Sequence, residues 1–291
     1  MSLFDPTEKY REEFIDALKA NKQYHPSEIS TYKTPRGNEI KYYKWKHPYQ
    51  GEWEYVEIFT DEILSFFKNN LTKESVAIDI GAQAGLMSVL YAQFAGKVIS
   101  FEPNPAAFEP LELNSRIYNN IIPYNLACSF TEDILQFHYS DEGFCNGGFA
   151  TNCILGIGVT GHVVPMDVYS INITDFLNTY HKNDIQNIKL IKIDAEGHDK
   201  DILTTLIPLI KEHNIKPIII TEMYGGLMEQ EVISLINTIY SLDYSIFNIT
   251  KDNSGLGIES RRQKINSIDD VKIGTLCNFL CLPNQIRKKK Q

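Results

Sequence analysis

Short apolar runs alternate with amphipathic stretches through the middle of the chain. The apolar runs have the length and continuity of strands buried on both faces of a parallel sheet; they are Val76–Ile80, Val98–Phe101, Ile188–Ile193 and Ile218–Thr221. The stretches between them read as helices, at Gly85–Phe94, Pro105–Tyr118 and Lys200–His213. This alternation predicts a doubly wound α/β fold, in which helices cover both faces of a mostly parallel sheet.

Other segments predict further elements around this pattern. Thr60, followed by Asp61 and Glu62, has the signature of a helix start, because a capping hydroxyl and early acids suit the exposed amides and the helix dipole. A third sheet strand is expected at Ile121–Ala127. The remaining strand candidates flank a glycine-rich loop at 141–161 and a polar stretch at 251–270 that is predicted as a loop; they are Ile134–Tyr139, His162–Val168, Tyr244–Ile249 and Thr275–Leu282.

The first 55 residues differ from the rest in composition, being rich in Tyr, Lys and Pro, with a helix predicted at Glu8–Lys19. We interpret residues 1–55 as an N-terminal extension that either covers the sheet edge or lines the substrate entrance. Residues 56–285 then form the α/β domain, and 286–291 form a basic tail that is either solvated or binds an anionic partner. The aromatic side chains that either pack in the core or stack on sugar faces are Tyr42, Tyr43, Trp45 and Trp53.

Charge and cysteine usage narrow the class of protein. The net charge of −9 argues against a general nucleic-acid binder, which needs a broad cationic surface. The five cysteines have neither zinc spacing nor an even secreted framework, and the polar start of the chain shows no signal peptide. No apolar run approaches the roughly 20 residues that span a bilayer. We therefore expect a cytoplasmic protein with reduced thiols and no membrane span.

A glycine-containing turn joins the first predicted strand to the next helix, and it reads Asp79-Ile80-Gly81-Ala82-Gln83-Ala84-Gly85. Gly81 and Gly85 allow a sharp turn and close approach of a ligand, and the helix start near Ser88 presents free amides. A dinucleotide site usually has glycine at the middle position, where this chain has Gln83. Asp79 would repel a pyrophosphate but attract an ammonium group. S-adenosylmethionine, a cation without phosphates, therefore fits better than NAD.

The second strand ends in Phe101-Glu102-Pro103-Asn104. An acid at this place hydrogen-bonds a ribose diol, in NAD and S-adenosylmethionine sites alike. The third predicted strand ends near Ala127, where the adenine ring is expected. These residues extend the predicted cofactor pocket across the carboxyl ends of the strands.

The fourth strand ends in a second cluster, Asp194-Ala195-Glu196-Gly197-His198. If strand alternation continues past Ile193, Asp194 and Glu196 point to the same side, and Gly197 turns the chain into the next helix. Glu222 ends the neighbouring strand, so all of these groups are expected to face one crevice. Methyl transfer to oxygen gains from a base, and His198 has the most suitable pKa, whereas Asp194 is better placed to hold the cofactor. A divalent metal is possible here but is not predicted.

Together the two clusters resemble the FkbM family of S-adenosylmethionine-dependent methyltransferases, through Ile78–Gly85, Phe101–Pro105 and Ile191–His198, with Asn114, Ala127 and Glu222 at further matching places. The chain departs from the family's usual pattern at Gln83, Ala195 and Asp199. The resemblance implies a seven-stranded Rossmann-like methyltransferase sheet with an antiparallel last strand. It also implies O-methylation, typically of a hydroxyl on a sugar or a polyketide-like product.

The sequence therefore predicts an O-methyltransferase that acts on a hydroxyl of a sugar, a glycan or a glycosylated small molecule. An NAD-linked oxidoreductase and a non-catalytic cofactor-binding module stay open as alternatives. The candidate catalytic residues are Asp194, Glu196, His198 and Glu222. The candidate cofactor-binding residues are Asp79, Gly81, Ala82, Gln83, Gly85, Ser88, Glu102, Pro103, Asn104, Ala127 and Asp194.

Overall fold

The computed structural model of the chain describes residues 29–34, 37, 39–43, 59–139, 147–149, 164–223, 229–249, 258, 262–275 and 277–284. The helix predicted at Glu8–Lys19, the residues Trp45 and Trp53, most of the 141–161 loop and the basic tail lie outside these ranges.

The main sheet contains the strands that the apolar runs predict. They are β3 (Val76–Ile80), β4 (Lys97–Phe101), β5 (Ile121–Tyr124), β10 (Ile188–Ile193), β11 (Ile218–Met223), β12 (Tyr244–Asn248), β13 (Gln263–Ile265) and β14 (Cys277–Pro283). Their spatial order is β13-β12-β14-β11-β10-β3-β4-β5. The strands from β11 to β5 pair in parallel, and β14 inserts antiparallel between β11 and β12. The predicted fold class and its antiparallel last strand are confirmed.

The sheet has one strand more than the resemblance implies. Within the described ranges it contains eight strands, because β13 adds to its edge by pairing antiparallel with β12. Strand β13 lies in the polar stretch that we predict as a loop. Its Ile265 is buried while Gln263 and Lys264 are exposed, so a single apolar residue stabilises it against the core. One apolar position is too short a pattern to detect in a sequence.

Helices cover both faces of the sheet. One face carries α1 (Asp61–Asn70), α2 (Leu86–Ala92) and α3 (Pro105–Ile117), and the other carries α4 (Ile173–Tyr180), α5 (Asp199–Glu212) and α6 (Glu229–Ser241). Helix α1 begins as predicted, since Thr60 Oγ1 accepts a hydrogen bond from the backbone N–H of Ile63. Each helix buries its apolar stripe against one face, so most of the hydrophobic core lies in two clusters separated by the sheet.

A second, smaller sheet follows the third strand of the main sheet. It is formed by β6 (Ala127–Ser129), β7 (Asp133–Tyr139), β8 (Gly147–Phe149) and β9 (Val164–Asn172), in the order β6-β9-β7-β8. The strand predicted at Ile121–Ala127 is therefore wrong at its end. Strand β5 stops at Tyr124, and Ala127 begins a strand that pairs with β9 instead. Asn125 explains the break, because its side-chain amide donates to the backbone carbonyls of Glu102 and Pro103.

An N-terminal hairpin of β1 (Ile29–Lys33) and β2 (Glu39–Tyr43) packs on the helix face that contains α3. Ile40 and Tyr42 are buried there. Asn114 of α3 ties the hairpin down, since its Oδ1 accepts from the backbone N–H of Tyr43 at 2.7 Å. No helix within the described ranges is long and apolar enough to cross a membrane.

Candidate active site

The turn between β3 and α2 lies against the end of β10. Gly81 has a φ of +70°, and its N–H and that of Ala82 donate to the carbonyl of Phe101, each at 3.0 Å. A Cβ on Gly81 would overlap the backbone carbonyl of Asp194. Gly85 also has a positive φ, of +85°, and a Cβ there would press on Leu111 of α3. Gly81 is therefore required because the turns after β3 and β10 meet without room for a side chain, and Gly85 because the first turn packs against α3.

Glu102 joins this turn to the end of β4. One carboxylate oxygen accepts the N–H of Gln83 and the other accepts the N–H of Asn104, both at 2.8 Å. Burial raises the pKa of Glu102 to about 7 although these two hydrogen bonds lower it. Asn104 in turn caps α3, since its Oδ1 accepts the N–H of Ala106. Glu102 thus holds two loops at the carboxyl edge of the sheet, where Pro103 also lies.

Asp79 and Ser88 lie beneath the turn rather than along the crevice. Both side chains are fully buried. Ser88 Oγ donates to Asp79 Oδ2 at 2.5 Å and lies 2.8 Å from Ser100 Oγ. We expect a direct ligand contact for Asp79 and Ser88 from the sequence, and the structure instead gives them neighbours within the protein. Ala127 is likewise buried, as the first residue of β6.

A buried lysine connects the two turns. Lys192 of β10 donates from Nζ to the carbonyl oxygen of Gly81 at 2.8 Å. The same nitrogen lies 3.3 Å from Asp194 Oδ2 and 3.5 Å from Asp79 Oδ1. Burial lowers the pKa of Lys192, but the carboxylates of Asp194 and Asp79 outweigh this and raise it above the ordinary value of a lysine. Lys192 is therefore a permanent cation within an acidic site.

The chain does not stay extended after β10, so the condition under which Asp194 and Glu196 would point to the same side of a strand is not met. It turns at Glu196, with a φ of +49°, and at Gly197, with a φ of +95°, before α5 begins. Asp199 holds this turn, because its Oδ2 accepts the N–H of Ala195 at 3.1 Å. Its Oδ1 accepts the N–H of Glu222 at 3.0 Å, which fixes the end of β11 to the same helix start.

Glu222 faces the other carboxylates of the site. Burial raises its pKa well above the usual value, and the charges of Asp194, Glu196 and Asp199 raise it further. Among the described residues, its Oε2 is a buried oxygen without a hydrogen-bond partner. Asp194 and Glu196 are partly accessible, with 39% of the Asp194 side chain exposed. The turns at the ends of β10 and β11 thus bring the predicted acids together.

His198 points to a different set of neighbours. Its Nδ1 lies 3.2 Å from Asp201 Oδ2, and its Nε2 lies 3.4 Å from Ser129 Oγ. The ring also meets the edge of Phe130 at 6.1 Å between centroids. Burial lowers the pKa of His198, which Asp201 partly offsets. The imidazole is therefore neutral at neutral pH, and Asp201 favours the tautomer that carries its proton on Nδ1.

The family model described as "Methyltransferase FkbM domain" matches residues 79–246, more than half of the 291 residues. The chain belongs to the FkbM methyltransferase family. The match begins at Asp79 and contains every predicted site residue. No curated protein matches the sequence.

Solved structures with similar folds are distant in sequence. Methyltransferase FkbM from Methylobacillus flagellatus KT is 14% identical, with a TM-score of 0.44 over 72% of this chain and 44% of that chain. This chain thus spans less than half of the Methylobacillus protein. A candidate methyltransferase from Streptococcus mutans, solved in complex with SAH, is 14% identical, with a TM-score of 0.40 over 75% of this chain and 95% of that chain. Precorrin-6y C5,15-methyltransferase from Geobacter metallireducens GS-15 is 11% identical, with a TM-score of 0.39 over 78% and 90%.

In this FkbM family member, three residues that position the predicted site residues were not identified from the sequence. They are Lys192, Asp199 and Asp201. Lys192 carried a detectable signal, since a lysine between two isoleucines of a buried central strand needs a partner inside the protein. Asp201 stands one helical turn after His198, a spacing that permits contact. The side chain of Asp199 carried no such signal, because its partners Ala195 and Glu222 are backbone groups of other segments.

The described residues contain no group of three or more His, Cys, Asp or Glu side chains placed to hold a metal ion. Asp194 pairs with Lys192, and Asp199 accepts from backbone amides and from the hydroxyl of Thr221. Their arrangement provides negative charge along the crevice and a separate neutral imidazole beside it.

Proposed function

We propose that this FkbM family member is an S-adenosylmethionine-dependent O-methyltransferase whose acceptor is a hydroxyl of a sugar, a glycan or a glycosylated small molecule. The single observation that carries the proposal is the His198–Asp201 pair beside the acidic crevice, with His198 neutral and its Nε2 3.4 Å from Ser129 Oγ. An alcohol holds its proton tightly at neutral pH, so transfer to oxygen gains from such a base.

The residues of the crevice fit a cationic nucleoside cofactor. Gly81 has no room for a Cβ, so the turn after β3 presents its backbone. Glu102 follows β4, the place at which an acid can hydrogen-bond a ribose diol. Asp194 offers an accessible carboxylate, and Lys192, the cation 3.3 Å from it, is shared with Asp79 and with the carbonyl of Gly81. A pyrophosphate would meet uncompensated negative charge here, which disfavours the NAD alternative. When bound, S-adenosylmethionine supplies a methyl group on a positively charged sulfur.

The predicted cofactor residues divide by position under this proposal. We assign direct contact to the residues around the two turns; they are Gly81, Ala82, Gln83, Gly85, Glu102, Pro103, Asn104 and Asp194. Asp79 and Ser88 are fully buried and hydrogen-bonded to each other, so we assign them to support of the glycine turn. We assign Ala127, the first residue of β6, to support as well.

The acids and the imidazole have different roles in this mechanism. In place of its contact with Ser129 Oγ, His198 Nε2 accepts the proton of the acceptor hydroxyl, and Asp201 stabilises the imidazolium that forms. The raised pKa of Glu222 favours its neutral form, so Glu222 donates a hydrogen bond rather than accepts the proton. Asp194 and Glu196 supply the negative charge that favours a cation in the crevice. Alignment of the acceptor oxygen with the methyl group provides the larger share of the rate enhancement.

We also propose that residues 1–55 cover the domain at 56–285 and that 286–291 form a solvated tail. The contact between Asn114 and the backbone of Tyr43 supports the covering role, because it joins the hairpin to the helix that packs on the glycine turn.

Two measurements test the function. Titration calorimetry with S-adenosylhomocysteine should show binding to the wild type that Glu102→Ala weakens. In a transfer assay with labelled S-adenosylmethionine and neutral glycosides, His198→Gln should keep this binding but lower kcat by about 10²–10⁴-fold. His213→Gln is the matched control, since His213 follows the other end of the same helix.

The outcomes separate the alternatives. A folded wild type that does not bind S-adenosylhomocysteine refutes the proposed cofactor, and thermal protection by NADH alone supports the oxidoreductase. Transfer to amino sugars but never to hydroxyl-only glycosides refutes O-methylation. Full cofactor affinity without transfer to any acceptor supports a binding module.

A further inference from the structure

Lys192 is a charged side chain in the middle of the main sheet. Strand β10 is flanked by β3 and β11, and Lys192 keeps only 8% of its surface exposed. A buried ammonium group without partners is strongly destabilising, so Lys192 needs the contacts that surround it. Lys189 of the same strand is exposed, and its Nζ donates to the carbonyl of Gln186 at 3.5 Å.

The partners of Lys192 belong to the two turns that form the crevice. Its shortest contact is to the Gly81 carbonyl, at 2.8 Å, in the turn after β3. Its contact to Asp194 Oδ2, at 3.3 Å, lies in the turn after β10. The turns already touch through their backbones, since Asp194 N–H donates to the carbonyl of Ile80. The ammonium group therefore joins the glycine turn to the carboxylate beside it.

The charges around Lys192 do not balance. Asp79 and Asp194 share this one ammonium group, so one negative charge is left over. Asp79 is fully buried, whereas the Asp194 side chain is 39% exposed. The excess charge is therefore accessible only at Asp194, on the side of the crevice.

We propose that Lys192 is a positioning residue for the cofactor: it fixes the Asp194 carboxylate and the Gly81 carbonyl in the arrangement that receives the cationic amino-acid end of S-adenosylmethionine. This inference rests on the proposed function. The competing explanation is purely structural, with Lys192 serving only as the counter-ion that keeps Asp79 stable in the core. The two explanations differ in what happens when Asp79 no longer carries a charge.

A set of four variants decides between them: Lys192→Met, Asp79→Asn, the double variant Asp79→Asn/Lys192→Met, and Lys189→Met as the matched control on the exposed face of the strand. Each is measured by thermal unfolding and by calorimetric titration with S-adenosylhomocysteine. Lys192→Met should lower the Tm, because it leaves the buried carboxylate of Asp79 without a cation. The double variant should recover the Tm of Asp79→Asn and still bind S-adenosylhomocysteine about ten-fold more weakly than Asp79→Asn.

Recovery of both the Tm and the affinity in the double variant overturns the inference, because Lys192 would then be a counter-ion alone. An equal loss of affinity in Lys189→Met also overturns the inference, since removal of any lysine from the strand would then weaken binding. A folded wild type that does not bind S-adenosylhomocysteine overturns the proposed function itself, which is a distinct result. If Lys192→Met does not fold, the comparison of the double variant with Asp79→Asn still gives the answer.

A second arm tests the link to Asp194. In an Asp194→Asn background, Lys192→Met should weaken S-adenosylhomocysteine binding by a smaller factor than in the wild type, because the carboxylate that Lys192 positions is gone. Equal factors in both backgrounds mean that the two residues act independently, which contradicts positioning through Asp194.

Discussion

Gly81→Ala tests the contact between the two turns directly. Two separate penalties apply at this residue. Its φ is +70°, a conformation that costs a residue with a Cβ roughly 1–2 kcal/mol. The added Cβ would also lie 2.8 Å from the carbonyl carbon of Asp194 and closer still to the oxygen. That carbonyl belongs to the backbone at the end of the sheet and cannot turn away as a flexible side chain does.

The chain offers a control for each penalty. Gly274 has a φ of +81°, and a Cβ on this residue would have no neighbour within 4 Å, so Gly274→Ala carries the conformational cost alone. A Cβ on Gly96 would lie 2.8 Å from the carbonyl carbon of Lys73, without a positive φ, so Gly96→Ala carries the overlap alone. Overpacking of this kind typically costs about 1–3 kcal/mol. The loss for Gly81→Ala should approach the sum of the two controls, about 2–5 kcal/mol.

Urea unfolding measures these free energies, and calorimetric titration with S-adenosylhomocysteine adds the functional consequence. Gly81→Ala should weaken binding, because the displaced carbonyl belongs to Asp194. Gly96→Ala should leave binding unchanged, since Gly96 precedes β4 at the opposite end of the sheet. A Gly81→Ala protein as stable as Gly274→Ala, or one that binds like the wild type, would refute the close approach of the two turns.

Three further predictions concern side chains around the same edge and the first helix. Asn114→Ala should destabilise the fold by about 1–3 kcal/mol in urea unfolding, because the carbonyl of Ala84 and the N–H of Tyr43 lose a partner. Thr60→Ala should cost about 1 kcal/mol through loss of the helix cap. In Glu102→Gln, the fall in unfolding free energy between pH 4.5 and 7 should be smaller than in the wild type.

The sign of the pH prediction follows from proton binding. The folded protein holds the Glu102 proton up to about pH 7, whereas the unfolded chain releases it near its ordinary value of 4.5. The native state therefore binds more protons in this window, so stability falls as the pH rises. An unchanged slope in Glu102→Gln contradicts the raised pKa.

Thr204→Ala serves as the control for Thr60→Ala, since the Thr204 hydroxyl donates to a backbone carbonyl within α5 at an exposed position. An equal loss of stability at both sites contradicts the capping role of Thr60.

Much of the fold could be predicted because its strands are buried on both faces. Runs such as Val98–Phe101 and Ile218–Thr221 are short, mostly apolar and buried, and a parallel sheet covered by helices on both sides requires that pattern. The prediction failed where the pattern is short or depends on a distant contact. Strand β13 has one buried residue, Ile265, and the end of β5 is set by the bonds from Asn125 to another loop.

The candidate site, like the fold, could be predicted from the sequence only in part. The order of Asp79, Glu102, Asp194 and Glu222 at successive strand ends places them at one edge of the sheet, since parallel strands end together. Their individual surroundings were not predictable. Asp79 is buried and Asp194 is accessible, although both are acids at or beside the end of a central strand.

The sequence by itself therefore determined the α/β architecture, the edge of the sheet that carries the chemistry, and the excess of acids there. Local periodicity and residue type contain that information. Only the tertiary structure decided that Lys192 joins Gly81 to Asp194, that Asp199 fixes the end of β11, and that His198 pairs with Asp201. The protonation of a buried carboxyl or imidazole depends on distances of a few ångströms between separate segments, and those distances exist only once the chain is folded.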